Sequence, residues 1–433
     1  MATAHRASIL HFLADPDQVA AADVYQYFAD GLLLIDEGKV SALGQATDLL
    51  PTLAADIELI EHPNSLLLPG FVDTHIHYPQ TEMIASYGES LLPWLNKYTF
   101  PTEAQFADED YAGTIAELFL TELLRAGTTT ALVFGTVHKQ SIDAFFTACS
   151  SKNLRMIAGK AMMDRNAPDN LLDTAESSYH DSKALIEKWH KHGRLQYAVT
   201  PRFAGTSTEQ QLAKAGQLLT EFPDVYLQSH IAENVDEVAW IESLFPQRKN
   251  YLDCYDHAGL LGRRSILAHG IHLKDEEWQR LAASETGIAF CPSSNLFLGS
   301  GLFPLSTATK HKVNVGLGTD IGAGTSFSLL QTLNDAYKVL QLRGETLSPL
   351  KSFYLATLGG ATTLDLQDVI GNFGIGKEAD FVVIDKSCTP FIDYRLRQCQ
   401  DLFEQLFVLS MLGDDRAIAQ TWAAGVLVHQ RQP

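Results

Sequence analysis

The stretch that decides the fold is Pro69-Gly70-Phe71-Val72-Asp73-Thr74-His75-Ile76-His77, PGFVDTHIH at 69–77. A Pro-Gly turn feeds an apolar run that ends on two histidines. In an extended strand, residues i and i+2 point to the same side. His75 and His77 therefore present two imidazoles together, enough for two corners of a tetrahedral metal site. The triplet alone is weak, because hydrogen-bonded histidine pairs are common. Its place at the end of a buried-looking strand strengthens the metal reading.

Outward from it the pattern repeats. Seven more apolar, β-rich runs follow: TTTALVFG (128–135), RMIAGKAMM (155–163), LQYAVTPRF (195–203), VYLQSHIAE (225–233), SILAHGIHL (265–273), GIAFCPSSN (287–295) and KVNVGLGTD (312–320). Helical stretches lie between them, including Tyr111 to Ala126, Leu172 to His190, Thr208 to Phe222 and Asp275 to Ser284. Eight strands alternating with helices predict an α/β fold, a (β/α)8 TIM-like barrel. The runs begin apolar and end polar. His75 and His77 end the first, Arg202 the fourth, His230 and Glu233 the fifth and Asp320 the eighth, while His269 sits within the sixth. In this barrel the active site lies at the C-terminal ends of the strands, so these distant residues face one cavity.

Both termini differ from the middle. Strand-like runs occur at 8–12, 31–35, 39–43 and 57–61, with Asp36-Glu37-Gly38 as a hairpin turn. The style returns at 379–385 and 419–428. The 433 residues thus divide into a small β-rich domain built from both chain termini, 1–69 plus 370–433, and a barrel over 70–369.

Composition excludes several classes. The net charge of −20, from 52 acidic and 32 basic residues, repels phosphate backbones and anionic lipid heads. Neither nucleic acid nor a membrane is the expected partner; a small, weakly charged molecule fits better. Five cysteines without a C-x-x-C point to a reducing compartment and away from a cysteine zinc site. The first sixteen residues lack the apolar run of a signal peptide, and no stretch has the length of a membrane span, which makes a cytoplasmic location the default. GNFGIGK at 371–377 lacks P-loop spacing, no G-x-S-x-G is present, and CPSS at 291–294 lacks the cysteine pair of the polynucleotide deaminases.

The remaining candidates carry rival readings. His230 offers a third nitrogen ligand, and Glu233, three residues on, could take a proton from water and return it to a leaving group; a surface His-Glu pair is the alternative. Asp320 follows Gly316-Leu317-Gly318-Thr319, whose glycines suggest close backbone approach. It is a fourth ligand, a partner of the bound water, or a turn-forming aspartate. His269 is a site residue or a structural histidine satisfied by the backbone. Three histidines and one aspartate suit a divalent metal, Zn2+ or Fe2+. Segment 86–105, with Trp94 and Tyr98, either covers the cavity or packs as a surface loop.

PGFVDTHIH at 69–77, SHIAEN at 229–234, LAHG at 267–270 and GTD at 318–320 together resemble the amidohydrolase superfamily. GIGKEADFVVID at 374–385 looks like that family's return into its small β domain. PWLNKYTFPTE at 93–103, HIHYPQ at 75–80 and PRF at 201–203 are similar to its guanine deaminases. The resemblance implies one zinc ion on His75, His77, His230 and Asp320, purine contacts from Gln80, Arg202 and Phe203, proton transfer by Glu233, and assistance from His269 and Asp320. It implies deamination of guanine to xanthine and ammonia by a zinc-activated hydroxide, in a homodimer. Binuclear relatives resemble each other in a modified lysine on a middle strand. The fourth run here ends Thr200-Pro201-Arg202, and Lys160 in the third is the one exception to weigh. Rival functions are deamination of another purine, a pterin or a triazine, binuclear cyclic-amide hydrolysis, and a silent barrel with an assembly role.

Overall fold

The computed structural model describes residues 2–19, 24–87 and 90–432. Strands β1 (Thr3–Phe12), β2 (Tyr25–Asp36), β3 (Lys39–Gln45) and β4 (Glu58–Pro69) belong to one sheet. The barrel strands are β5 (Phe71–His77), β6 (Thr128–Phe134), β7 (Arg155–Gly159), with the short β8 (Ala161–Met162), β9 (Gln196–Pro201), β10 (Tyr226–Ile231), β11 (Ser265–His269), β12 (Gly287–Phe290) and β13 (Val315–Leu317). Then β14 (Phe381–Asp385), β15 (Ile418–Ala423) and β16 (Val426–Gln430) return to the first sheet, in the order β16-β15-β14-β4-β1-β2-β3. Each of the eight expected barrel runs holds a strand, and neighbouring strands pair in parallel.

The barrel's first and last strands meet at a seam held by other means than a regular ladder. Thr74 Oγ1 donates to Leu317 O at 2.9 Å, and the Asp320 N–H donates to His75 O at 2.9 Å. Buried Asp73 accepts from the N–H groups of His75 at 3.1 Å and Thr319 at 3.2 Å, and from the Thr319 hydroxyl. Two glycines let β13 press this close: a Cβ on Gly316 would fall 2.3 Å from Thr74 Cγ2, and one on Gly318 2.9 Å from His75 Cβ. Asp73→Ala strands two buried N–H groups and a hydroxyl, so it should lower unfolding stability by about 3 kcal/mol. An unchanged urea midpoint would show that the seam does not depend on Asp73.

Beneath the polar strand ends, Val72, Leu132, Ile157, Tyr226 and Ile266 pack with Leu364 and Ile370, and Tyr226 donates its hydroxyl to Leu364 O at 2.7 Å. Helices cover the outside. Glu109–Arg125 starts where Asp108 accepts from Asp110 N and Tyr111 N, and it buries Ile115, Phe119 and Leu123 at helical spacing. The terminal sheet has its own apolar core around Ile9, Leu33, Leu67, Phe381 and Trp422. It is tied to the barrel by Arg155 and Arg194, which both grip Glu378, while Arg194 also reaches Asp380.

Two local expectations change. The run 419–428 is not one strand: Ala424 (φ +46°) and Gly425 (φ +72°) turn it into the β15–β16 hairpin. Within the stretch expected to be β-rich, Pro390–Leu396 and Leu402–Leu412 are helices; Phe407 packs edge-on against Tyr337 of helix Leu329–Leu342, 5.1 Å between ring centroids.

Candidate active site

Four of the sequence candidates converge at the strand ends. His75 and His77 end β5, His230 lies near the end of β10, and Asp320 follows β13. His77 Nε2 lies 3.2 Å from His75 Nε2, 3.2 Å from His230 Nε2 and 3.4 Å from Asp320 Oδ1; His75 Nε2 lies 3.2 Å from the same carboxylate oxygen. Donor atoms bonded to one ion at ~2.0–2.1 Å in tetrahedral geometry stand about 3.3 Å apart. The cluster has that spacing, so these residues fit a metal. The second nitrogen of His230 supports it: Nδ1–H donates to Arg202 O at 2.7 Å, which turns the Nε2 lone pair into the cluster.

Electrostatics agree with geometry. Burial, then the neighbouring imidazoles, hold His77 and His230 well below the usual histidine range; burial also lowers His75. Neutral imidazoles are ligands, whereas imidazoliums are not. Burial works to raise the Asp320 carboxyl, but His75, His269 and His77 outweigh it and hold the group below the carboxylate range. The chain turns sharply here: Ala232, His269 and Asp320 adopt φ of +46°, +75° and +51°. Left-handed backbone at non-glycine residues costs ~1–3 kcal/mol each, offset locally by bonds such as Gly270 N–H to Ile231 O at 2.9 Å.

Glu233 sits beside the cluster. Its N–H donates to Glu237 Oε2 at 2.8 Å, the carboxylate that also caps helix Val235–Leu244. Ser300 Oγ donates to Glu233 Oε1 at 2.9 Å, and Oε2 lies 3.5 Å from His269 Nε2. Burial pushes the Glu233 carboxyl up to about 7, with His269 pulling the other way. A carboxyl with that value exchanges protons readily at neutral pH. His269 is satisfied by a side chain, not the backbone: Nδ1 bonds Asn295 Oδ1 at 2.9 Å, aiming Nε2 at Glu233 and, at 3.8 Å, Asp320.

His77, His230, Asp320, Glu233 and His269 line one cavity together with Gln80, Arg202 and Phe203. Of the segment 86–105, residues 88 and 89 lie outside the described residues. Leu91, Trp94 and Leu95 line the cavity, whereas Tyr98 packs beside it against the cluster of Met83, Trp94 and Phe100. Lys160 is elsewhere: its ammonium bonds Asp173 Oδ2 at 2.5 Å and Ala161 O at 3.1 Å.

A profile of the amidohydrolase family matches residues 66–428. The chain belongs to the amidohydrolase family. Guanine deaminase of Escherichia coli strain K12 is 56% identical over 417 residues, 96% of this chain and 94% of that one. The solved E. coli guanine deaminase superposes with a TM-score of 0.97 at 54% identity, covering 99% of this chain and 100% of the other. A guanine deaminase from C. acetobutylicum, solved with guanine bound in the active site, gives a TM-score of 0.89 at 29% identity, with coverage of 99% and 100%. The likeness carried by a few short motifs thus extends through the whole chain.

This amidohydrolase holds site residues that the sequence reading passed over. Glu103, fully buried, accepts from Gln80 Nε2 at 3.1 Å and from Arg202 Nη1 at 2.6 Å. Asn295, Ser300 and Glu237 hold His269 and Glu233 as described. Glu103 closes the quoted PWLNKYTFPTE segment, in which no strand-end pattern marks it as a partner of Gln80 and Arg202.

Proposed function

We propose that the protein hydrolyses guanine to xanthine and ammonia with one zinc ion held by His75, His77, His230 and Asp320. The observation that carries this is a single cavity lined by His77, His230 and Asp320 of the ligand cluster, by Glu233 and by the Gln80–Arg202–Phe203 group. Guanine in the active site of the C. acetobutylicum enzyme supports the substrate. The bound ion supplies Lewis acidity, which brings the pKa of water toward 7.

The protein's own groups do the rest. Gln80 Oε1 accepts from the Gly322 N–H at 3.1 Å and Nε2 donates to Glu103, so the amide is fixed with a second N–H to offer. Arg202 offers the rest of its fork to the purine carbonyl, and Phe203 offers a ring face. Leu91, Trp94 and Leu95 exclude bulk water. Asp320 and His269 orient the attacking water. Glu233 takes one proton from the water and delivers it to the ring nitrogen beside C2, then passes the remaining hydroxyl proton to the exocyclic amino group. A C2–O bond forms, the bond from C2 to the exocyclic nitrogen breaks and ammonia leaves. Lys160, engaged by Asp173, argues against a binuclear centre, and five unpaired cysteines support a reducing, cytosolic setting. No helix among the described residues is long and apolar enough to cross a membrane.

The test is the absorbance change of guanine becoming xanthine. Purified protein should turn guanine over, lose activity with a chelator and regain it with zinc. Ammonia release from a panel of purines, pterins and triazines should favour guanine. Zinc-loaded protein that forms no xanthine would refute the reading.

A further inference from the structure

Arg202 is the one arginine or lysine among the described residues that line the cavity. It is nearly inaccessible, and its charge is met by the buried carboxylate of Glu103 at 2.6 Å. Glu103 belongs to the helical turn Phe100–Glu103, which also lays the Phe100 ring 5.6 Å from the guanidinium carbon. Hydrogen-bond supply alone does not require this arrangement. A purine carbonyl takes a hydrogen bond from a guanidinium whether or not a carboxylate stands behind it. The carboxylate changes the charge that a ligand meets.

We propose that Glu103 is a specificity-determining residue: by neutralising Arg202 it makes the purine pocket accept uncharged purines and reject anionic ones. This rests on the guanine reading. An unpaired cation in a buried site draws an anion strongly, because little solvent screens it. With Glu103 present, that wall of the pocket is a paired dipole that still donates to a neutral ring. Guanine enters uncharged. Xanthine ionises more readily, so a neutral wall also keeps the product from being held by Arg202. Glu103 acts through Arg202 and Gln80 and does not reach the reacting atoms, so its effect falls on ligand charge discrimination.

The test compares two purines at one neutral pH: hypoxanthine, which is uncharged, and urate, which is an anion. Their affinities are measured by calorimetry on the zinc-loaded wild-type, Glu103→Gln and Glu103→Asp proteins, and guanine turnover of the same preparations is read in parallel. Wild-type protein should bind hypoxanthine better than urate. Glu103→Gln should tighten urate by at least about tenfold while hypoxanthine moves by less than about threefold. Glu103→Asp keeps the charge and should keep the wild-type order. Urate and hypoxanthine shifting together in Glu103→Gln, or binding to neither by any of the proteins, would overturn the proposal. If Glu103→Gln does not fold, equal affinity of wild-type protein for the two purines overturns it. Absent guanine turnover with the binding pattern intact would instead count against the substrate reading alone.

Discussion

Glu233→Gln should keep the proposed zinc and lose about 10²–10⁴-fold in guanine turnover, the range commonly supplied by one positioned proton-transfer group. The substitution preserves shape. The Glu233 N–H bond to Glu237 comes from the main chain and survives, and the Ser300 hydroxyl can still donate to the amide oxygen. What disappears is the ability to carry a proton between water and purine. Unfolding does not mimic this result. In the metal-free protein, burial raises the Glu233 carboxyl from its ordinary value of 4.5 to about 7. A folded value above the unfolded one means that the folded state binds more protons, so this group's contribution to stability falls as pH rises from 4.5 to about 7. The glutamine is never ionised, so the metal-free variant should melt no lower than the parent above that window. Elemental analysis and steady-state kinetics decide the matter; full turnover by a zinc-replete variant ends the assigned role.

His77→Ala should empty the proposed metal centre. His77 Nε2 is the hub of the cluster, within 3.2 Å of two imidazole nitrogens and 3.4 Å of Asp320. Losing an outer-shell partner costs a metal site about 10–100-fold in affinity, and loss of a direct ligand should cost more. The purified variant should therefore carry far less than one ion per chain after dialysis and show no guanine turnover at trace zinc. Unchanged zinc content and affinity would remove His77 from the ligand set. The paired measurement on Glu233→Gln separates the two roles: one variant holds metal without turnover, the other holds neither.

The barrel was legible because two periodicities coincide with a gradient. Each strand run starts with residues that must be buried and ends with groups that can do chemistry, as in Phe71 to His77 and Val225 to Glu233. That gradient alone gathers His75, His77, His230 and Asp320. Glu103 had no comparable signal, because its partners Gln80 and Arg202 are 23 and 99 positions away and meet it only through the packing of an irregular helical segment. Asn295 and Ser300 were hidden for the same reason, lying in the short helix Pro292–Phe297 and the loop after it, from which they reach His269 and Glu233. In the C-terminal stretch the helix Leu402–Leu412 carries apolar residues around much of its circumference, so it offers no amphipathic period to set it apart from a buried strand. The β15–β16 hairpin turns on Ala424 and Gly425; Gly425 was the one turn signal there, since Ala424 belongs to a residue type that rarely takes positive φ.

The seam between β5 and β13 has a consequence for biosynthesis. Asp73 and Thr319, the partners that close it, are 246 positions apart, and His75 and Asp320 stand on its two sides. A ribosome-bound chain that has not yet released the last barrel strand holds histidines without their carboxylate. Under the proposed ligand set, metal loading would wait until the circle of strands is complete, and an ion held from both sides would act as a clasp on the finished barrel. Truncated or stalled chains should be poor scavengers of zinc, and the rate at which newly made protein acquires metal should follow the docking of its eighth strand.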